Sequence, residues 1–247
     1  MTDLILLPGT LCDERLFAHQ VEHLADVASV EVGEMTTADT ITGMANAVLD
    51  TAPPRFALAG LSLGGIVAIE MMRIAPERIS KLALLDTNHH PPTRSQVASW
   101  ELFEELTHAG RFEDVTRRHL LDSLLYLKTP ESIALVVDMA AGVGRERFLI
   151  QNTAQSTRPD NRHVLPTIGA RTLVLCGREE RVCPVSIHEQ LAAAIPGARL
   201  VVIPRAGHLS TIDQPDLVTQ AMRSWLTAPD QDPDPGAENK ETTSSSI

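Results

Sequence analysis

Aromatic side chains are scarce, with two Trp, one Tyr and five Phe in 247 residues. Cysteine is scarcer. Cys12, Cys176 and Cys183 form neither a disulfide framework nor a metal-ligand spacing, so reduced thiols are expected. Basic residues are outnumbered 21 to 32, and the formal charge of −11 argues against nucleic acid and anionic membrane surfaces as partners. No apolar run is long enough to span a bilayer, and the opening Met-Thr-Asp-Leu-Ile-Leu-Leu-Pro is too short and lacks the basic residues of a signal peptide. A cytoplasmic protein is the expectation. Residues 229–247 carry five acids and one lysine, which leaves −7 on residues 1–228. That segment is rich in Pro, Asp, Ser and Thr, has little to bury, and is expected to be a disordered tail.

What is present centres on Phe56-Ala-Leu-Ala-Gly60-Leu-Ser62-Leu-Gly64-Gly65, followed by Ile66-Val-Ala-Ile-Glu70-Met-Met-Arg73. An apolar run, a glycine-bracketed turn and apolar residues at helical spacing predict strand, sharp turn, helix. Without Cβ atoms at Gly60 and Gly64 the chain can bend enough to lift the Ser62 hydroxyl above the strand end. The helix start aims free N–H groups and its positive dipole end at the same spot.

Further apolar runs predict strands at Leu4–Leu7, Val30–Val32, Lys81–Asp86, Arg171–Gly177 and Arg199–Ile203. Between them, helical spacing covers 14–28, 40–49, the elbow helix up to Ala75, 185–194 and 215–226. Strands alternating with helices imply βαβ units and a parallel sheet. The alternation stops after Asp86. Residues 87–166 show only helical stretches, at 96–109, 112–125, 131–141 and 145–154, and hold five of the eight aromatics: Trp100, Phe103, Phe112, Tyr126 and Phe148. Most of these rings are expected to glue small helices together, yet an aromatic-rich insertion beside a candidate nucleophile also suggests a lid with an apolar inner wall. The expected organisation is a core of residues 1–86 and 167–228 with a helical cap, 87–166, inserted in it. Ser62, Asp86, Glu180 and His208 all fall at or just past carboxyl ends of strands, where open parallel sheets hold their ligands.

Gly60-Leu-Ser62-Leu-Gly64-Gly65, the later Gly177-Arg-Glu-Glu180-Arg-Val-Cys-Pro184, and Ala206-Gly207-His208 with Asp213-Gln-Pro215 resemble the α/β-hydrolase superfamily. The resemblance covers nearly all of residues 3–227, in the family's order Ser, acid, His. It implies an α/β fold whose mainly parallel sheet has about six strands, the family's first two being absent because the first run begins at residue 4. The loop after Val32 is shorter than in many relatives. The resemblance also implies Ser62 as nucleophile, His208 as general base, and an oxyanion hole formed by the backbone N–H groups of Leu63 and Thr10. Pro8-Gly9 stands before Thr10 where His-Gly is usual. Glu180 occupies the acid position in place of the usual Asp. Its extra methylene moves the carboxylate by ~1.5 Å unless the backbone retreats, and Asp86 at the neighbouring strand end is the rival.

His89-His90 lacks further ligands in a recognisable pattern and is expected in a solvated loop. Gly142-Val-Gly144 lacks the strand and third glycine of a dinucleotide site, so no cofactor is implied. Cys12 is expected to be a small loop residue, close enough to Thr10 that alkylation would obstruct the oxyanion loop. The expected activity is cleavage of a carboxylic ester or lactone of a small, largely apolar substrate through an acyl-serine intermediate. The alternatives are hydrolysis of C–C or amide bonds, and a ligand-binding protein that keeps the pocket without turnover.

Overall fold

Six runs rich in Leu, Ile, Val and Ala form the strands β1 (Thr2–Leu7), β2 (Ala28–Val32), β3 (Phe56–Leu61), β4 (Ile79–Leu85), β5 (Arg171–Gly177) and β6 (Arg199–Ile203) of the computed structural model, which describes residues 1–35 and 38–229. They pair in parallel throughout in the order β2-β1-β3-β4-β5-β6, which is the sheet expected from the sequence. The tail expected over 229–247 lies, from residue 230 on, outside the described residues.

The connections hold α1 (Ala18–Leu24), α2 (Ile41–Thr51), α3 (Leu63–Ile74), α4 (Arg94–His108), α5 (Phe112–Asp114) and α6 (Leu121–Leu124). After these come α7 (Pro130–Ser156), α8 (Val185–Ala194), α9 (Ser210–Asp213) and α10 (Pro215–Thr227). Side chains alternate across a strand, and here both faces are apolar. Ile5, Leu7, Phe56, Leu58 and Leu84 join a core with residues of α2, α3 and α8, while Leu4, Leu6, Ala59, Leu61 and Leu85 join one with α1 and α10. Helices therefore cover both faces of the sheet, as a parallel sheet requires.

A third cluster gathers Leu11, Phe103, Leu106, Val115, Ala140, Val143 and Phe148. It packs α4, α7 and the segment between them against the loop after β1. Capping boxes start α4 at Thr93 and α7 at Thr129.

The helices differ from their expected limits in three places. The run expected over 14–28 opens as a 3-10 turn, Glu14–Phe17, capped by Asp13, and α1 ends at Leu24. The stretch 112–125 is α5 and α6 joined by a π-helical turn at Val115–Leu120. The pair expected over 131–141 and 145–154 is one helix broken at Gly144. There φ is 76° and ψ 166°, values open to glycine but outside the helical region, so the hydrogen-bond ladder is interrupted.

The strand order reverses direction between β1 and β3, which opens a crevice beyond their carboxyl ends. Chain crowding there explains the glycines of the elbow. A Cβ on Gly60 would lie 2.2 Å from the Gly64 carbonyl oxygen, and one on Gly64 would lie 2.1 Å from that of Leu7. Backbone cannot yield as a flexible side chain can. Gly64→Ala is therefore expected to destabilise the fold by about 3 kcal/mol or more in urea denaturation. Gly169→Ala, whose Cβ would meet nothing within 4 Å, should stay within about 0.5 kcal/mol of wild type. Equal effects of the two changes would contradict the packing argument.

Candidate active site

Ser62 links β3 to α3 with φ 54° and ψ −115°, a conformation that costs a non-glycine residue about 1–3 kcal/mol and persists only when its surroundings over-determine it. They do so here. The Ser62 N–H donates to the Leu85 carbonyl (3.0 Å), and its own carbonyl accepts from Gly65 N (3.0 Å), Ile66 N (3.1 Å) and Thr87 Oγ1 (2.7 Å).

The Ser62 hydroxyl faces the loop after β6. Its Oγ lies 2.9 Å from His208 Nε2, and His208 Nδ1 lies 2.6 Å from Glu180 Oε2. His208 and Glu180 are 3% and 6% exposed. A carboxylate only accepts, so Nδ1 carries the proton and Nε2 is left to accept from the serine hydroxyl. Burial alone would lower the His208 pKa, but the charge and hydrogen bond of Glu180 outweigh it and the net shift is upward. The longer glutamate arm is accommodated locally, because Oε1 accepts from Val182 N (2.6 Å) and Cys183 N (3.1 Å) and a turn folds back onto the carboxylate.

Asp86 is fully buried but points elsewhere. It accepts from Gly177 N (2.8 Å) and Ser210 Oγ (2.5 Å) and so ties the end of β4 to the end of β5 and to α9. Burial, then the nearby charge of Glu180, pushes its pKa well above the usual carboxylate range.

Leu63 opens α3, so its N–H has no acceptor within the helix. In the loop after β1, the Cys12 N–H donates to Gly9 O (3.2 Å) and the Leu11 N–H to Gln151 Oε1 (3.1 Å). Thr10 Oγ1 accepts from Gln155 Nε2 at 3.0 Å. Two glutamines one turn apart on α7 thus hold the loop on which Thr10 sits.

These residues border a cavity of about 100 Å³ lined by Thr10, Ser62 and His208 together with Trp100, Phe103, Leu120, Leu124 and Phe148. Three of the five aromatics of the insertion face this space. Phe112 instead packs against Phe148, with ring centroids 5.6 Å apart, and Tyr126 is 44% exposed. Size alone would mislead, since a cavity of about 430 Å³ between β6 and α10 contains none of the candidate residues.

Cys12 lines the cavity together with Thr10 and is 6% exposed, and burial and then Asp13 raise its thiol pKa to about 12. One expectation needs correction. His89 is not solvated. It is 8% exposed, and burial and then His90 lower its pKa to about 4.

Residues 7–221 match the model of the alpha/beta hydrolase family. The chain belongs to that family. A pimeloyl-[acyl-carrier protein] methyl ester esterase of Stenotrophomonas maltophilia is 26% identical over 246 residues, covering 92% of this chain and 93% of that protein. A Klebsiella pneumoniae protein named for carbamate hydrolysis is 28% identical over 185 residues, covering 70% of this chain and 66% of its own length. Among solved structures, a thermophilic esterase from Thermogutta terrifontis superposes with a TM-score of 0.82 at 27% identity, covering 92% of this chain and 89% of that one. An enol-lactonase from Burkholderia xenovorans shares the fold at 22% identity, with a TM-score of 0.80 and 92% of each chain covered.

Gln151, Asn152 and Gln155 of this hydrolase went unnoticed in the sequence, where three polar residues on a helix signal only a solvated face. Asp213 was seen beside Pro215 but given no role. It accepts from Gly207 N (2.8 Å), Tyr126 N (2.9 Å) and Leu127 N (2.9 Å), clamping the histidine loop to the chain between α6 and α7. Asp213→Asn would set an amide N–H against a backbone N–H, so a loss of about 1–3 kcal/mol is expected in urea denaturation. A change below about 0.5 kcal/mol would show that the clamp carries little.

Proposed function

We propose that the protein is a serine hydrolase that cleaves a carboxylic ester or lactone through an acyl-serine intermediate. The observation that carries this reading is the continuous hydrogen-bonded chain Ser62 Oγ, His208 Nε2/Nδ1, Glu180 Oε2, with separations of 2.9 and 2.6 Å. A serine hydroxyl becomes a useful nucleophile when a base takes its proton. In this mechanism Ser62 Oγ attacks the substrate carbonyl carbon while its proton passes to His208 Nε2 and the π pair moves onto the carbonyl oxygen. The N–H groups of Leu63 and Thr10 stabilise that oxyanion, a role worth about 3–4 kcal/mol per donor. Glu180 holds the imidazole in the right tautomer and stabilises the imidazolium. Collapse expels the alcohol, which takes the proton from His208. Water then repeats the sequence and releases the acid.

Ester or lactone cleavage is favoured over other acyl chemistry by the esterase names among the similar proteins and by a small, mainly apolar cavity. Asp86 is assigned a structural part, since both of its oxygens serve Gly177 and Ser210.

A fluorophosphonate probe should label the protein, with the adduct on the peptide containing Ser62, and Ser62→Ala should abolish labelling and lower kcat by at least ~10⁴-fold. A protein that binds esters but takes no label would be a binding protein on a hydrolase fold. Glu180→Gln should cost ~10³–10⁴-fold in kcat and Asp86→Asn less than ~10-fold. The reverse order would make Asp86 the acid.

A further inference from the structure

Asn152 lines the same cavity as Ser62 and His208 and is 4% exposed. Its Nδ2 donates to the Trp100 carbonyl at 3.0 Å, while Oδ1 has no partner. Chemistry fixes this orientation. A backbone carbonyl only accepts, so the amide nitrogen must face Trp100 and the oxygen is left over. Native proteins leave few buried acceptors unpaired, because each forfeits its hydrogen bond to water. Of the described residues that line the cavity, Asn152 alone carries a buried side-chain polar atom without a partner. The other amide there, Gln155, is engaged with Thr10.

Resting on the hydrolase reading above, we infer that the part of the substrate held in this cavity carries a hydroxyl group that donates its proton to Asn152 Oδ1. Other donors fit less well. An ammonium group would need a carboxylate, and no Asp or Glu lines the cavity. An amide N–H brings a carbonyl that needs a donor of its own, and the unpaired atom here is an acceptor. A hydroxyl adds one donor and little bulk, which suits a space of about 100 Å³. The substrate class is then the esters or lactones of short hydroxylated chains, and Asn152 is their specificity determinant. A site built to hydrogen-bond a substrate hydroxyl discriminates against the analogue without it, because the buried partner is left unpaired again.

The test compares matched esters in three forms: hydroxylated, deoxy and O-methylated. One set places the group on carbon 2 or 3 of a butyryl chain with a p-nitrophenyl leaving group. A second places it at the end of a propyl alcohol esterified with butyrate, so that acyl-side and alcohol-side recognition are separated. At least one hydroxy ester should exceed both of its partners in kcat/KM by ~10–100-fold. In Asn152→Leu that ratio should fall to about one. The O-methyl ester keeps the oxygen and loses only the donated proton, so the wild-type ratio alone decides the matter if the variant does not fold. Fluorophosphonate labelling at Ser62 with no preference for any hydroxy ester, or a preference that survives in Asn152→Leu, would overturn this inference and leave the hydrolase reading standing. No turnover of any ester together with no labelling would overturn both.

Discussion

The hydrogen bond from His208 Nδ1 to Glu180 Oε2 joins two side chains taken almost wholly out of water, and neither ionisable group would be well tolerated there alone. Their pairing settles several features at once. It raises the histidine pKa against the pull of burial, fixes which ring nitrogen bears the proton, and leaves Nε2 aimed at Ser62. It also bears on Asp86, whose carboxyl is disfavoured as an anion first by burial and then by the charge of Glu180. One buried carboxylate beside the imidazole makes a second one costly. Asp86 accordingly accepts hydrogen bonds from Gly177 and Ser210 instead.

The surrounding structure keeps this pairing in register. Ser62 stands on a strained turn held by four hydrogen bonds. Glu180 is anchored by two backbone N–H groups of its own loop. The histidine loop is clamped through Asp213 to the chain between α6 and α7, and the loop bearing Thr10 is held by Gln151 and Gln155 of α7. The helices between β4 and β5 therefore wall the cavity and also fix the two loops on either side of Ser62. Through them, the residues that line the cavity and those that hold the loops of Thr10 and His208 share one rigid support.

Much of this was legible because it is local. The elbow glycines, the apolar runs and the alternation of strand with helix are short-range patterns, and the structure returns them as a six-stranded parallel sheet. Ser62, Asp86, Glu180 and His208 could be placed at one crevice because strand ends in such a sheet converge there. The choice of Ser62, His208 and Glu180 among them came from the resemblance of their motifs to the α/β-hydrolase superfamily. Choosing between Glu180 and Asp86 was harder, since it turns on a fold-back at Val182 and Cys183 that no side-chain spacing announces. Gln151, Asn152 and Gln155 were illegible for another reason. Their roles come from residues as distant in sequence as Thr10, Leu11 and Trp100, which only tertiary packing brings near. The same holds for His89, expected in solvent and found buried.

The pairing of Glu180 with His208 is tested most directly by an NMR titration of the His208 ring in the wild type and in two variants. The wild-type pKa should lie above the ordinary histidine value of 6.5. In Glu180→Gln the carboxylate is gone and burial remains, and burial disfavours the imidazolium. The pKa should therefore fall below its wild-type value, with a smaller fall in Asp86→Asn. A His208 pKa unmoved by Glu180→Gln, or one that falls further in Asp86→Asn, would contradict the account.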